Sequence, residues 1–166
     1  MTTVCGNYGS CCPPPCCCCP PPLPPSSAFQ AAASGNTTLV AALPTLLTFD
    51  YPLAPNAAYT PASSTFLAPP GGGVFSFTAV VSWTTASATG GSLTLSLVSD
   101  SAKRLSATST LSAAGTTSCV LTGLLTLAPG ASVVVSAVSS VAATVNGAVP
   151  TPAAAALSWF AGGVRV

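Results

Sequence analysis

Seven of the eight cysteines fall within the first nineteen residues, crowded among prolines: Cys5 stands apart, and Cys11-Cys12-Pro13-Pro14-Pro15-Cys16-Cys17-Cys18-Cys19-Pro20 run without a break. Proline fixes φ and removes an amide donor, so Pro13 to Pro15, Pro20 to Pro22 and Pro24-Pro25 exclude helix and inner strand and favour extended, polyproline-like backbone. Such a segment cannot bury a core. The fold must come from the rest of the chain, which divides into a Cys/Pro-rich arm and linker over residues 1–36 and a β-patterned body over residues 37–166.

The chain has 166 residues, room for one core plus a tail. Its only charged side chains are Asp50, Asp100, Lys103, Arg104 and Arg165, 3% of the residues, where a soluble domain carries about a quarter. A surface of Ser, Thr, Ala and Gly is weakly hydrated. It is read either as a neutral exterior open to glycosylation or, in preference, as a surface covered by copies of the chain or by partners in a large assembly. A net charge of +1 without a basic cluster excludes nucleic acid as a partner, because phosphate binding needs several Lys or Arg on one face. No run reaches the length of apolar residues that spans a bilayer. The N-terminus lacks the basic and apolar regions of a signal peptide, so lysis, incorporation into a particle or processing is the expected route out of a cell.

Along an extended arm neighbouring cysteine side chains diverge, and adjacent cysteines pair poorly because a disulfide needs its Cβ atoms within about 4 Å. Bridges between different arms fit better, which makes Cys5, Cys11, Cys12, Cys16, Cys17, Cys18 and Cys19 candidates for cross-linking or attachment in an oxidising compartment or a maturing particle. Three readings stay beside this one. Cys16 and Cys19 have the spacing of a zinc knuckle but no second knuckle or histidine; clustered cysteines can be acylated, here without a basic neighbour; and the tail can be reduced and unpaired.

In the body, Leu39-Val40 and Leu46 to Phe49 read as a strand pair broken at Pro44, with Pro52, Pro55 and Pro61 keeping the next stretch irregular. Val74 to Trp83 and Leu93 to Leu97 alternate large and small side chains with period two. Leu105–Leu111, Ser118–Leu127, Ser132–Val141 and Leu157–Val166 read as further strands, Asp100–Arg104 as an exposed turn, Pro129-Gly130 as a turn, and Asn146-Gly147 as a tight hairpin or loop turn. Ala153–Ala156 is too short for a helix alone. Ser26–Asn36 reads as a linker or approach strand. Eight or more short strands predict an all-β sandwich or barrel.

The order of residues also resembles a known family. Tyr59-x6-Phe66, Gly73-x-Phe75-x-Phe77, Leu93-x-Leu95-x-Leu97, Gly123-x-Leu125-x-Leu127-x2-Gly130-x2-Val133-x-Val135 and Ser158-x-Phe160-x-Gly162 are similar to the globular head of the tumour necrosis factor and complement-q superfamily, over roughly Phe49 to Val166. The resemblance implies a jelly-roll sandwich of about ten strands that assembles as a homotrimer. It offers Tyr59, Phe66, Phe75, Phe77, Trp159 and Phe160 as trimer or core contacts. Ala131 stands where the family has an aspartate after the turn glycine, so the family's carboxylate-capped turn and bound calcium are not carried over.

Histidine is absent and both acids are aspartates, so no nucleophile has a general base and no enzyme is expected. Cys119 reads as a small buried side chain. Asn36-Thr37-Thr38 fits a glycosylation acceptor. No cofactor or metal is expected. The reading is a non-enzymatic structural protein on the exterior of a virus or phage particle: a capsid accessory, spike or fibre head whose trimers meet neighbouring subunits through their arms. The alternatives are a trimeric receptor- or ligand-binding head, lipid-anchored or stalk-mounted, and a spore-coat or pilus subunit.

Overall fold

A computed structural model describes residues 28–100, 102–151 and 157–165. The cysteine arm lies outside the described residues, as does the Ala153–Ala156 run. The strands are β1 (Phe29–Ala32), β2 (Thr37–Leu39), β3 (Thr45–Leu46), β4 (Tyr51–Ala54), β5 (Tyr59–Thr60), β6 (Thr65–Leu67) and β7 (Gly73–Thr85). After them come β8 (Gly91–Ser99), β9 (Ala102–Leu111), β10 (Gly115–Leu127), β11 (Ser132–Ser139), β12 (Ala143–Val145) and β13 (Trp159–Arg165). One 3₁₀ turn, Pro61–Ser63, is the only helical element among the described residues.

The period-two sequence of β7 determines the architecture. Phe75, Phe77, Ala79, Val81, Trp83 and Thr85 are buried on one face, while Ser76, Thr78, Val80, Ser82 and Thr84 alternate with them on the other. A strand with one apolar face must cover it with a second sheet. In sheet A, β7 pairs along its whole length with β10, Gly73 opposite Leu127 and Thr85 opposite Gly115. Its other edge is shared by β13 and, near Trp83 and Thr84, by β12. Beyond β13 lie β1 and then β4, and beyond β12 lies β2. Sheet B runs β5-β6-β11-β8-β9, with β3 also paired to β11. Every named strand pair is antiparallel, as in a jelly-roll sandwich.

The two sheets close on one hydrophobic core. At one end seven rings meet: Phe29 stacks on Tyr59 at 4.2 Å, Phe66 lies edge-on to Phe75 and Phe77, and Phe160 contacts Phe29, Phe49, Tyr59 and Phe77. At the other end Trp83, Leu93, Leu95, Leu97, Val135 and Val145 are buried, and the indole N–H of Trp83 donates to Ser109 Oγ at 2.8 Å. Burying each large apolar side chain stabilises the fold by about 1.5–3 kcal/mol. Cys119, a free thiol, faces the same interior with its Sγ 3.6 Å from the Ala107 carbonyl.

Several expectations need correction. Of the two readings of residues 26–36, the strand holds for Phe29–Ala32, since β1 pairs with both β13 and β4 and Phe29 is part of the core. β2 and β3 are not partners: β2 joins β12 in sheet A and β3 joins β11 in sheet B. Pro52 sits inside β4, which tolerates it as the outermost strand beside β1, where a missing amide disrupts no inner ladder. The exposed turn after β8 is short, since β9 already starts at Ala102 and Lys103 pairs with Val98. Asn146 makes no hairpin. Its backbone amide donates to the Ser82 carbonyl at 2.8 Å, and Gly147 N–H donates to Asn36 Oδ1 at 2.9 Å.

Candidate assembly surface

Five of the six residues offered as trimer or core contacts converge inside the monomer. Tyr59, Phe66, Phe75, Phe77 and Phe160 are at most 5% exposed. Surfaces this deep cannot touch another copy. The Tyr59 hydroxyl donates to the Phe49 carbonyl at 2.7 Å, and Phe49 N–H donates to Ser64 Oγ at 2.7 Å, tying the loop before β4 to the 3₁₀ turn. Burial, countered in part by Ser64, pushes the Tyr59 phenol up to about 12, so it stays a neutral donor. Trp159 differs from the other five: it is half-buried and lies on the outer face of sheet A.

That outer face carries part of the exposed apolar surface, including Tyr51, Val120 and Leu124. Register places Val120, Val80, Trp159, Ala32 and Tyr51 in one row across β10, β7, β13, β1 and β4. Val120 is 56% exposed, and Leu124, further along the same strand, is also 56% exposed. Neither was singled out from sequence, although a signal exists. In Ser118 to Leu127 apolar residues occupy both parities of the strand, more than one buried face requires. The outward residues of β7 and β10 include no charged group.

Hydroxyls on the same face bond among themselves. Thr84 Oγ1 and Thr116 Oγ1 share a hydrogen bond of 2.6 Å, Asn146 Nδ2 donates to Thr84 Oγ1 at 2.9 Å, and Thr122 Oγ1 donates to Thr78 Oγ1 at 3.3 Å. Ser158 Oγ accepts from Ser82 N–H and donates to the Asn146 carbonyl at 2.6 Å. The polar atoms of this face are therefore largely satisfied within the protomer, which lets an apolar neighbour cover them at little cost.

The outer face of sheet B is built differently. Alternation along β8 and β11 turns Ser96 and Ser136 outward, side by side in register. Ser96 is 1% exposed and its Oγ has no hydrogen-bond partner, an arrangement that costs about 1–3 kcal/mol.

The charged groups form no catalytic set. Asp50 accepts from Ser34 N–H at 3.0 Å and from Ser34 Oγ at 2.7 Å. Partial burial alone would raise its carboxyl, but these bonds outweigh burial and hold it below the ordinary carboxylate value. Asp100 Oδ1 accepts weakly from Ser132 N–H at 3.4 Å, which puts a carboxylate near the turn after β10 although Ala131 itself has none. Among the described residues no cluster of His, Cys, Asp or Glu could hold a metal, and no helix is long and apolar enough to cross a membrane.

No protein-family model matches the sequence, and no curated protein matches it. Solved structures do match by shape. The globular domain of zebrafish complement 1qA superposes with a TM-score of 0.59 at 17% identity, covering 84% of this chain and 97% of that one. The Eiger TNF of S. frugiperda superposes with a TM-score of 0.58 at 12% identity, covering 84% of this chain and 91% of that one. Two antiparallel sheets in this strand order, closed on a ring of phenylalanines, together with these superpositions give the chain a jelly roll of the tumour necrosis factor and complement-q type.

Proposed function

We propose that this protein is a non-enzymatic structural subunit that assembles as a homotrimer through the outer face of sheet A, and whose Cys/Pro arm fastens the trimer to neighbouring subunits. The observation that carries the reading is the uncharged set Val120, Val80, Trp159 and Tyr51, with Leu124 beside it, on a face whose hydroxyls are already bonded to one another. Self-association is the state that the likeness to tumour necrosis factor and complement-q heads leads one to expect. A closed three-fold arrangement would hide the same patch on each copy.

In such a trimer three arms start from equivalent positions and bring together three sets of tail cysteines. Tethering raises their effective concentration, so cross-links between arms form with little further loss of entropy. The near-absence of charge suits a subunit packed among copies, and the place proposed for it is the exterior of a virus or phage particle, as a capsid accessory, spike or fibre head. The same fold equally supports a trimeric head that binds a receptor or ligand, and a ligand captured by trimers lacking residues 1–27 would favour that second reading. The test of the first is light scattering on the full-length chain with electrophoresis in the presence and absence of reductant. A trimer that runs as cross-linked ladders only without reductant is expected, and a reduced or oxidised monomer would overturn the proposal.

A further inference from the structure

Asn146-Gly147 follows β12 in sheet A, and the dipeptide is tied down on both sides of its shared peptide bond. The Asn146 backbone N–H donates to the Ser82 carbonyl at 2.8 Å, and its carbonyl accepts from Ser158 Oγ at 2.6 Å. The side-chain Nδ2 donates to Ser82 Oγ at 3.2 Å and to Thr84 Oγ1 at 2.9 Å. Gly147 N–H donates to Asn36 Oδ1 at 2.9 Å, a partner 111 residues away in the chain. Only glycine fits at this position, because a Cβ on residue 147 would run into the Gly35 carbonyl oxygen. Asn36 is exposed while Asn146 and Gly147 are half-buried, so water reaches the pair.

Asparagine followed by glycine is chemically labile, because no side chain on the second residue hinders its amide from reaching the first residue's Cγ. In that reaction the Gly147 nitrogen gives its proton to hydroxide and bonds to Asn146 Cγ. Nδ2 takes a proton from water and leaves as ammonia, and a second water opens the resulting succinimide to Asp or isoAsp. We infer that Asn146 is a latent deamidation site that the fold keeps unreacted, with Asn36 as the residue that blocks it. The hydrogen bond to Asn36 Oδ1 keeps the proton on the Gly147 nitrogen and turns that amide toward the β1–β2 connection. Ser82 and Thr84 anchor the leaving nitrogen, which stops Cγ from swinging toward the backbone. The close approach to Gly35 imposes the labile pair, and the next residue, Asn36, supplies the acceptor that protects it. Either product would set a carboxylate beside Ser82 and Thr84 of β7, whose outward residues carry no charge.

The test incubates the full-length chain at mildly alkaline pH and follows conversion at Asn146 by peptide mass and by enzymatic methylation of isoAsp. The unmodified chain should convert at least about tenfold more slowly when folded than when unfolded in urea, since reaction requires local opening. Asn36→Ala should speed conversion in the folded chain by about three- to tenfold, the gain in opening when one hydrogen bond is lost. Asn36→Asp keeps an oxygen acceptor for Gly147 N–H and should stay within about twofold of the unmodified chain. Hydrogen exchange separates this local effect from a general loosening: the Gly147 amide should quicken in Asn36→Ala while the inner amides of β7 do not. Equal rates in the folded and unfolded chain, or no acceleration in Asn36→Ala, would overturn the inference. So would an Asn36→Asp chain that converts as fast as Asn36→Ala, or an acceleration matched by faster exchange throughout β7.

Discussion

On the outside of sheet A the hydroxyls answer one another, Thr84 with Thr116, Thr122 with Thr78, and Asn146 bridging Ser82 and Thr84. On the outside of sheet B, Thr94 and Thr108 do the same at 2.8 Å, but Ser96 at the centre has no partner. Both faces sit on one shared interior, so the contrast does not arise from the core. A face that has met its own polar needs is free to be covered by something apolar, whereas the unmet hydroxyl of sheet B is sealed from solvent and costs stability where it stands.

Truncating the shared interior should produce the largest effect and strike both faces alike. Phe160→Ala removes ring contacts to Phe29, Phe49, Tyr59 and Phe77 and should cost about 3–5 kcal/mol in denaturant unfolding. A loss below about 1 kcal/mol would show that the ring cluster does not hold the sheets together. Next, Val120→Lys with Leu124→Lys should weaken the trimer by at least about a hundredfold in sedimentation or light scattering. Monomer stability should move by no more than about 0.5 kcal/mol, as for other exposed positions; equivalent charges at Ser106 and Thr108 on sheet B should leave the trimer intact.

Tyr59→Phe removes the hydroxyl that donates to Phe49 and should cost about 1–2 kcal/mol at neutral pH. Tyr59 is pushed up to about 12 by burial, above the value near 10 of an unfolded tyrosine. The folded state therefore keeps a proton that the unfolded state loses. Stability should be full below about pH 10 and decline toward pH 12, and the Phe variant should lose that part of the decline.

Two smaller substitutions sharpen the contrast between faces by their sign. Thr84→Ala breaks bonds to Thr116 and Asn146 and should destabilise by about 0.5–1.5 kcal/mol. Ser96→Ala removes an unsatisfied group, and in a chain lacking residues 1–27 it should be neutral or stabilising by up to about 1 kcal/mol. The smallest expected effect belongs to Asp50, whose carboxyl is held below its ordinary value by Ser34. Its contribution is present above about pH 4 and lost as pH falls through the folded value, so Asp50→Asn should flatten the acid limb of an unfolding profile slightly.

The sandwich was legible wherever large side chains alternated. β7, β8, β10 and β11 could be read with their faces, because Phe75, Phe77, Leu93, Leu95, Leu97, Val133 and Val135 repeat with period two. β1 could be read only as a linker or an approach strand, because Ala31 and Ala32, though fully buried, give no alternation of large and small side chains. The separation of β2 from β3 was invisible, since long-range register is set by strands a hundred residues away. The resemblance identified the fold and offered six residues as trimer or core contacts, of which five lie in the core, while Val120, Leu124 and Ser96 emerged only when the strands' faces were assigned.

The outward residues of β7 and β10 carry no charge, and this sets the tempo at which copies can meet. Without long-range attraction, encounter proceeds at the unsteered rate of about 10⁵–10⁶ M⁻¹s⁻¹, and simple salt neither hastens nor slows it through screening. Ions that strengthen the exclusion of apolar surface, such as sulfate, should tighten the contact instead. The proposed assembly is then expected to depend on how many copies are crowded together rather than on the ionic strength around them.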